Sequence, residues 1–222
     1  MSYSIKAIQA RLNEIGFGPL LVDGLQGPRT DAAVTAFKAS VGLWPRPYVG
    51  PLTWAALNKA PDSNIPWLAE AIKVKGLHEA RDLTQLRRWF DKSVSWIDPR
   101  EIPWCGAFVA TCHRLASPGI AIPDNPLGAR NWGTFGVPCA PTLGATLTFS
   151  RPGSSWSGHV GFYWGEDSTA FHVLGGNQSN AVTVTRVAKT RFLESRWPAG
   201  APNPKTRVLL TTSGAPLSAN EA

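Results

Sequence analysis

A cysteine opening a helical stretch, a histidine opening a strand and two amides closing the next strand are the residues of this chain best suited to covalent chemistry. Cys105 lies in "IPWCGAFVA" (102–110). With a helix starting near Pro103 or Trp104, its sulfur falls in the first turn, where unpaired N–H groups and the helix dipole favour negative charge. That environment lowers a thiol pKa and produces the reactive thiolate. Gly106 and Ala107 are small enough to let a substrate approach. Cys112, two turns further on roughly the same face, reads as a core filler.

A thiolate nucleophile needs an imidazole partner and a third group to orient that ring. The histidines are His78, His113, His159 and His172. His159 suits the role best: it follows a glycine in "SGHVGFYWG", 54 residues after Cys105, and the apolar run behind it anchors a strand. His172, in "AFHVL", sits where alternation can bury it. His113 shares the Cys105 helix and is expected to point elsewhere, and His78 lies in a loop. Asn177, in "LGGNQSN", ends the strand after that of His159. In a hairpin its amide oxygen can accept the imidazole N–H. Gln178 is the adjacent alternative, and Glu166 falls at the wrong end of its strand. The backbone N–H of Cys105 is the expected oxyanion donor.

These residues need elements to hold them. In residues 1–60, Ile5, Ile8, Leu12 and Ile15 fall at helical spacing, with Gly16 and Gly18 as stops. "VDGLQGPRT" marks a turn and then a helix start at Pro28, followed by an apolar face of Ala33, Val34, Phe37 and Val41. "VGPLTWAAL" (49–57) repeats the pattern. The polar, proline-containing stretch around 61–66 reads as a linker. Helices are expected from Pro66 to about Lys73, within 82–94 and over 104–116, and a long loop over 117–143. The period then changes: 145–150, 158–165, 169–176, 181–187 and 207–213 are short, β-rich and separated by turn residues. Helices first and strands later predict an α+β chain: a small three-helix domain (1–60), a linker (61–66), and helices packed on an antiparallel sheet (67–213). Residues 214–222 read as a frayed tail.

Composition narrows the function classes. Of 222 residues, 43% are hydrophobic and 17% charged, which supports a packed core and argues against disorder. The net charge of +7 is spread along the chain, with no Lys/Arg block of the kind that grips nucleic acid, so no nucleic-acid partner is expected. The diffuse positive field suits an anionic envelope surface. Three cysteines without a close pair argue against a disulfide framework or a zinc ribbon. No His/Asp/Glu cluster has ligand spacing, so no metal or other cofactor is expected. No window approaches 18 apolar residues, so membrane insertion is not expected, and the N-terminus lacks the apolar core of a signal peptide.

The N-terminal unit resembles the peptidoglycan-binding domain often fused to cell-wall hydrolases, through "IQARLNEIGF", "VDGLQGPRTDAAVTAFKASVGL" and "VGPLTWAAL". Lys38 departs from the glutamine usual in that family. The second unit resembles the CHAP and NlpC-like cysteine amidohydrolases of the papain-like group, through "PWCGAFVATC", "SGHVGFYWG", "VLGGNQSNAVTV" and "ESRWP". The resemblance implies a papain-like fold with Cys105 as nucleophile, His159 as base and Asn177 as orienting residue. Glu79 sits where this branch has a G-x-x-E segment and would line the site, with Gln178 also near substrate and Trp104, Trp132 and Trp164 walling the cleft.

The two resemblances together imply a phage endolysin. It would be a monomer made in the host cytoplasm and released through a holin, cutting an amide bond of bacterial peptidoglycan while a binding domain tethers it. A toxin or tail-associated wall hydrolase is the alternative within the enzyme class. A wall-binding protein without activity is the alternative outside it, and a zymogram separates the two.

Overall fold

The computed structural model describes residues 3–15, 17–58, 65–210 and 217. Three helices open the chain: α1 (Ile5–Glu14), α2 (Pro28–Ser40) and α3 (Pro51–Asn58). Pro28 and Pro51 stand at the first helical positions, where a missing N–H costs nothing. Ile8, Leu12, Val34, Phe37 and Leu57 close the core between the helices. Val41 is not part of that face: it caps α2 and is exposed. Gly16, expected to stop α1, lies outside the described residues. The "DG" passage folds as its residues require. Gly24 takes a positive φ of 84° and Asp23 accepts the Leu25 N–H in an Asx turn. Buried Gln9 secures this turn by donating to Asp23 and Leu25 O while accepting the Gly24 N–H. Lys38 is also buried and donates to Tyr48 O.

The remainder is α+β, as expected. Helices α4 (Pro66–Lys73), α5 (Leu83–Trp89) and α6 (Cys105–Ala116) precede a six-stranded antiparallel sheet. Its strands are β1 (Val137–Pro138), β2 (Thr146–Arg151), β3 (Ser154–Glu166), β4 (Ala170–Gln178), β5 (Ala181–Ala188) and β6 (Phe192–Trp197), in the order β1-β6-β2-β3-β4-β5. Cys105 through His113 are all buried, so α6 is a central helix that meets solvent only in its last turn. It packs on β3 through Phe108 and Phe162, whose rings lie 5.9 Å apart. Phe149, Phe171 and Phe192 meet in a separate aromatic group.

Three boundaries differ from the expectation. Ile65, placed in the linker, is 1% exposed and joins the core of the second unit, while 59–64 lie outside the described residues. The last sheet strand is β6 at 192–197. The expected strand at 207–213 is instead an extended segment with a single parallel bridge, Glu166↔Leu209, and its residues 211–213 lie outside the described residues. That segment also crosses back to the first unit: the Leu210 N–H donates to Glu166 O, the Glu166 N–H donates to Val208 O, and the Leu210 side chain joins the core of Ile8, Leu12 and Phe37. Among the described residues, no helix is long and apolar enough to cross a membrane.

Candidate active site

Cys105 is the first residue of α6, and Trp104 caps it. Two glycines make this placement feasible. A Cβ on Gly106 would stand 2.0 Å from Pro126 O, and one on Gly176 would stand 2.5 Å from the Trp104 ring. The helix start is thereby pressed between the 126–127 loop and β4. Trp104 is itself held from behind. Its indole donates to Glu79 Oε2 at 2.9 Å, a fully buried bond, and the Glu79 N–H donates to Asn180 O at 2.8 Å. The 76–79 segment therefore rides on the β4–β5 turn and fixes the residue just before the thiol.

The thiol lies against the backbone N–H of Val160, the residue after His159. Burial pushes the Cys105 thiol above its ordinary value. The N–H groups of Val160 and Gly106 and the Arg151 charge pull it the other way without reversing the shift. The sulfur is thus a protonated thiol near neutral pH, and only a base would make it a thiolate there.

His159 is fully buried on β3, facing Phe149 across the β2–β3 pair. Its Nε2 lies 2.9 Å from Gln178 Oε1. The Gln178 amide settles the proton on the ring. Its Nε2 donates to Thr183 O (2.5 Å) and Val173 O (3.2 Å), so its Oε1 is left to face the imidazole as an acceptor. The neutral ring must then carry its proton on Nε2, which puts the lone pair on Nδ1.

This geometry places several of the expected site residues differently. The amide on the ring is Gln178, not Asn177. Asn177 has a left-handed φ of 58°, and the β4–β5 register slips by one between Gly175 and Gln178. That bulge turns the next side chain inward, where strict alternation would have placed Asn177. Gln178 is wholly buried, its amide bonded to the His159 ring and to backbone carbonyls. Trp104 and Trp132 are 0% exposed and wall no cleft: Trp132 donates to Pro126 O and pins the loop over Gly106. Trp164 stands five residues past His159, about 16 Å along the strand, and donates to Ile15 O of the first unit. Glu79 supports Trp104. In the second unit the exposed indoles are instead Trp96 (64%) and Trp156 (82%), and Trp156 lies on the β2–β3 hairpin three residues before His159.

The other candidates have structural surroundings. His113 bonds Thr146 Oγ1 at 3.0 Å, and burial holds its pKa down to about 3. His172 pairs with Asp167 at 2.9 Å, and His78 accepts the Ala80 N–H. Cys112 is buried, with its thiol raised well above the ordinary value. Cys139 sits 3.3 Å from Ser195 Oγ.

Residues 2–57 match the family described as "Putative peptidoglycan binding domain". Over 56 residues the chain is 46% identical to a Kitasatospora aureofaciens protein described as "Uncharacterized protein in bpoA1 3'region". The aligned part is 25% of this chain and 48% of that protein, so the chain spans about half the length of the curated relative it matches. The family match falls on the three-helix unit: the chain carries a peptidoglycan-binding domain at its N-terminal end.

Proposed function

We propose that the chain is a cysteine-dependent peptidoglycan hydrolase in which Cys105 is the nucleophile, His159 the base and Gln178 the residue that orients the base. The observation that carries this reading is the Gln178–His159 bond. It leaves the lone pair on Nδ1 of a histidine whose neighbour, Val160, touches the thiol. In the reaction, Cys105 Sγ attacks an amide carbonyl of the wall peptide while His159 Nδ1 takes its proton. The developing oxyanion lies at the first turn of α6, where backbone N–H groups have no helical partner. His159 then protonates the leaving amine. Water, deprotonated by the same nitrogen, releases the acyl group. The peptidoglycan-binding domain supports a wall substrate, since tethering raises the local concentration of scissile bonds. In this reading the chain acts on the wall after leaving the compartment in which it is made, as an endolysin does.

The test is digestion of purified sacculi by the wild-type chain and by Cys105→Ala, read by mass spectrometry. Fragments from wild type alone, with activity reduced about 10⁴-fold or more in the variant, are expected. New lactyl-muramic ends identify an amidase, and ends inside the peptide an endopeptidase. Equal digestion by both proteins overturns the cysteine mechanism.

A further inference from the structure

The β2–β3 hairpin carries a cation at the edge of this site that the mechanism does not use. The β2–β3 register sets Phe149 opposite His159 and Ser150 opposite Gly158, then slips so that Arg151 faces Ser154. The slip leaves residues 155–157 bulged out of the pairing, and Gly153 takes the positive φ that the hairpin turn requires. Arg130 pins the loop from below, with Nε donating to Ser157 O at 2.8 Å and Nη2 to Ser154 O at 3.1 Å. Arg151 is thereby fixed two residues beyond the position that faces the base.

Its side chain is half-buried, and its charge is felt at the Cys105 sulfur. The other arginines near this end of the sheet are occupied: Arg130 by the two carbonyls above, Arg191 by Ser150 O. Among the described residues, Arg151 has no carboxylate in an ion pair. A half-buried guanidinium whose charge reaches the thiol, and which forms no ion pair among the described residues, is available to the anion of a ligand. Trp156, 82% exposed in the bulge of the same hairpin, offers an apolar face at that end of the β2–β3 pair.

We infer that Arg151 and Trp156 form a recognition element for an acidic wall peptide, the guanidinium pairing with a free carboxylate beside the scissile amide and the indole covering the aliphatic chain that bears it. Guanidinium and carboxylate match in a two-pronged, charge-assisted pair, and an amide in place of the carboxylate cannot supply it. The enzyme would therefore discriminate between acidic stem peptides and their amidated counterparts. The inference rests on the reading of Cys105 and His159 given above.

Two measurements test it separately from that reading. The first compares synthetic muropeptides that differ only in free or amidated carboxyl groups flanking the cut bond. Wild type is expected to favour the acid form at least tenfold in kcat/KM. Arg151→Gln should bring the two within about twofold, the change lying in KM of the acid form, and Arg151→Lys should keep part of the preference. No preference in wild type, or equal loss on both forms in Arg151→Gln, overturns the inference. The second needs no catalysis: alkylation of Cys105 in the full chain by iodoacetate and by iodoacetamide, read at the Cys105 peptide. The ratio of the two rates should fall several-fold in Arg151→Gln, with the Cys139 ratio unmoved as an internal control. A chain that cuts neither muropeptide nor sacculi overturns the proposed function, and the alkylation ratio then decides alone whether Arg151 receives an anion: an unchanged ratio overturns the inference.

Discussion

At the residue scale, the reactive state of the site turns on one amide. Gln178 spends its two N–H bonds on backbone carbonyls, so it meets His159 only as an acceptor. Removing it frees the ring to take the other tautomer or to rotate, and base catalysis loses its fixed lone pair. Gln178→Ala is expected to lower kcat by about 10²-fold, the range general base catalysis commands. Asn177→Gly should leave kcat within about twofold, because glycine accepts the left-handed backbone without strain. Steady-state kinetics on both variants check this, and loss in Asn177→Gly with retention in Gln178→Ala reverses the assignment. The places of Cys105 at a helix start and of His159 on a strand were legible in sequence because their signals are local: small residues after a cysteine that follows a proline and a tryptophan, and an apolar run after a histidine, though β3 begins at Ser154, five residues before His159. The third residue was not. A bulge depends on how β5 pairs, and neither of two adjacent amides announces which one it turns inward.

At the element scale, the start of α6 is held by contacts distant in sequence. The Glu79–Trp104 bond joins positions 25 apart, and Gly176 lets the Trp104 ring settle on β4. Trp104→Phe removes the donor and leaves a carboxylate buried without it, which costs roughly 1–3 kcal/mol. Gly176→Ala forces a methyl group into the ring, at a cost of about 1–3 kcal/mol. Both should lower Tm, and both should lower kcat further than the fraction folded accounts for, since each moves the residue before the nucleophile. Thermal melts beside kinetics at a temperature where the variants stay folded separate the two effects. An unchanged kcat there means the Glu79–Trp104 pair serves stability alone. The tryptophans show why cleft and core were not separable in advance. A large aromatic near a catalytic motif serves equally well as wall or as filler, and only the packing of the 126–127 loop and the 76–79 segment makes Trp132 and Trp104 filler. Strand β6 escaped notice for a related reason. "FLESRW" mixes charges into its pattern because its outer neighbour, β1, has only two residues.

At the scale of the whole molecule, the core is built to stay neutral around a histidine and charged around a carboxylate, and acid attacks the two at different pH. His113 is sealed among Trp67, Trp132, Phe135 and Phe162 with its pKa held down to about 3. The unfolded chain binds a proton there near the ordinary 6.5. The stabilisation from the neutral ring is therefore complete above pH 6.5 and drains away as pH falls toward 3, by several kcal/mol in total. Glu166 is held down to about 2, its burial outweighed by Arg207, Lys189 and Tyr163. Its contribution is complete above 4.5 and drains as pH falls toward 2. Glu166 also anchors the 206–210 segment that carries Leu210 into the first unit, so its protonation loosens the join between the two units. No local pattern revealed that join, because the contact spans most of the chain. Between pH 6.5 and 4.5 the loss should belong to His113 together with His172, whose pKa burial also lowers. His113→Gln, which keeps a polar partner for Thr146 but takes up no proton, should unfold in denaturant with a stability that declines less steeply across this interval than that of wild type. Urea titrations followed by circular dichroism at pH 7, 6, 5 and 4.5 measure the slope, and the slope is the readout because the substitution also changes packing. Parallel slopes in the two proteins would place the acid sensitivity elsewhere in the fold.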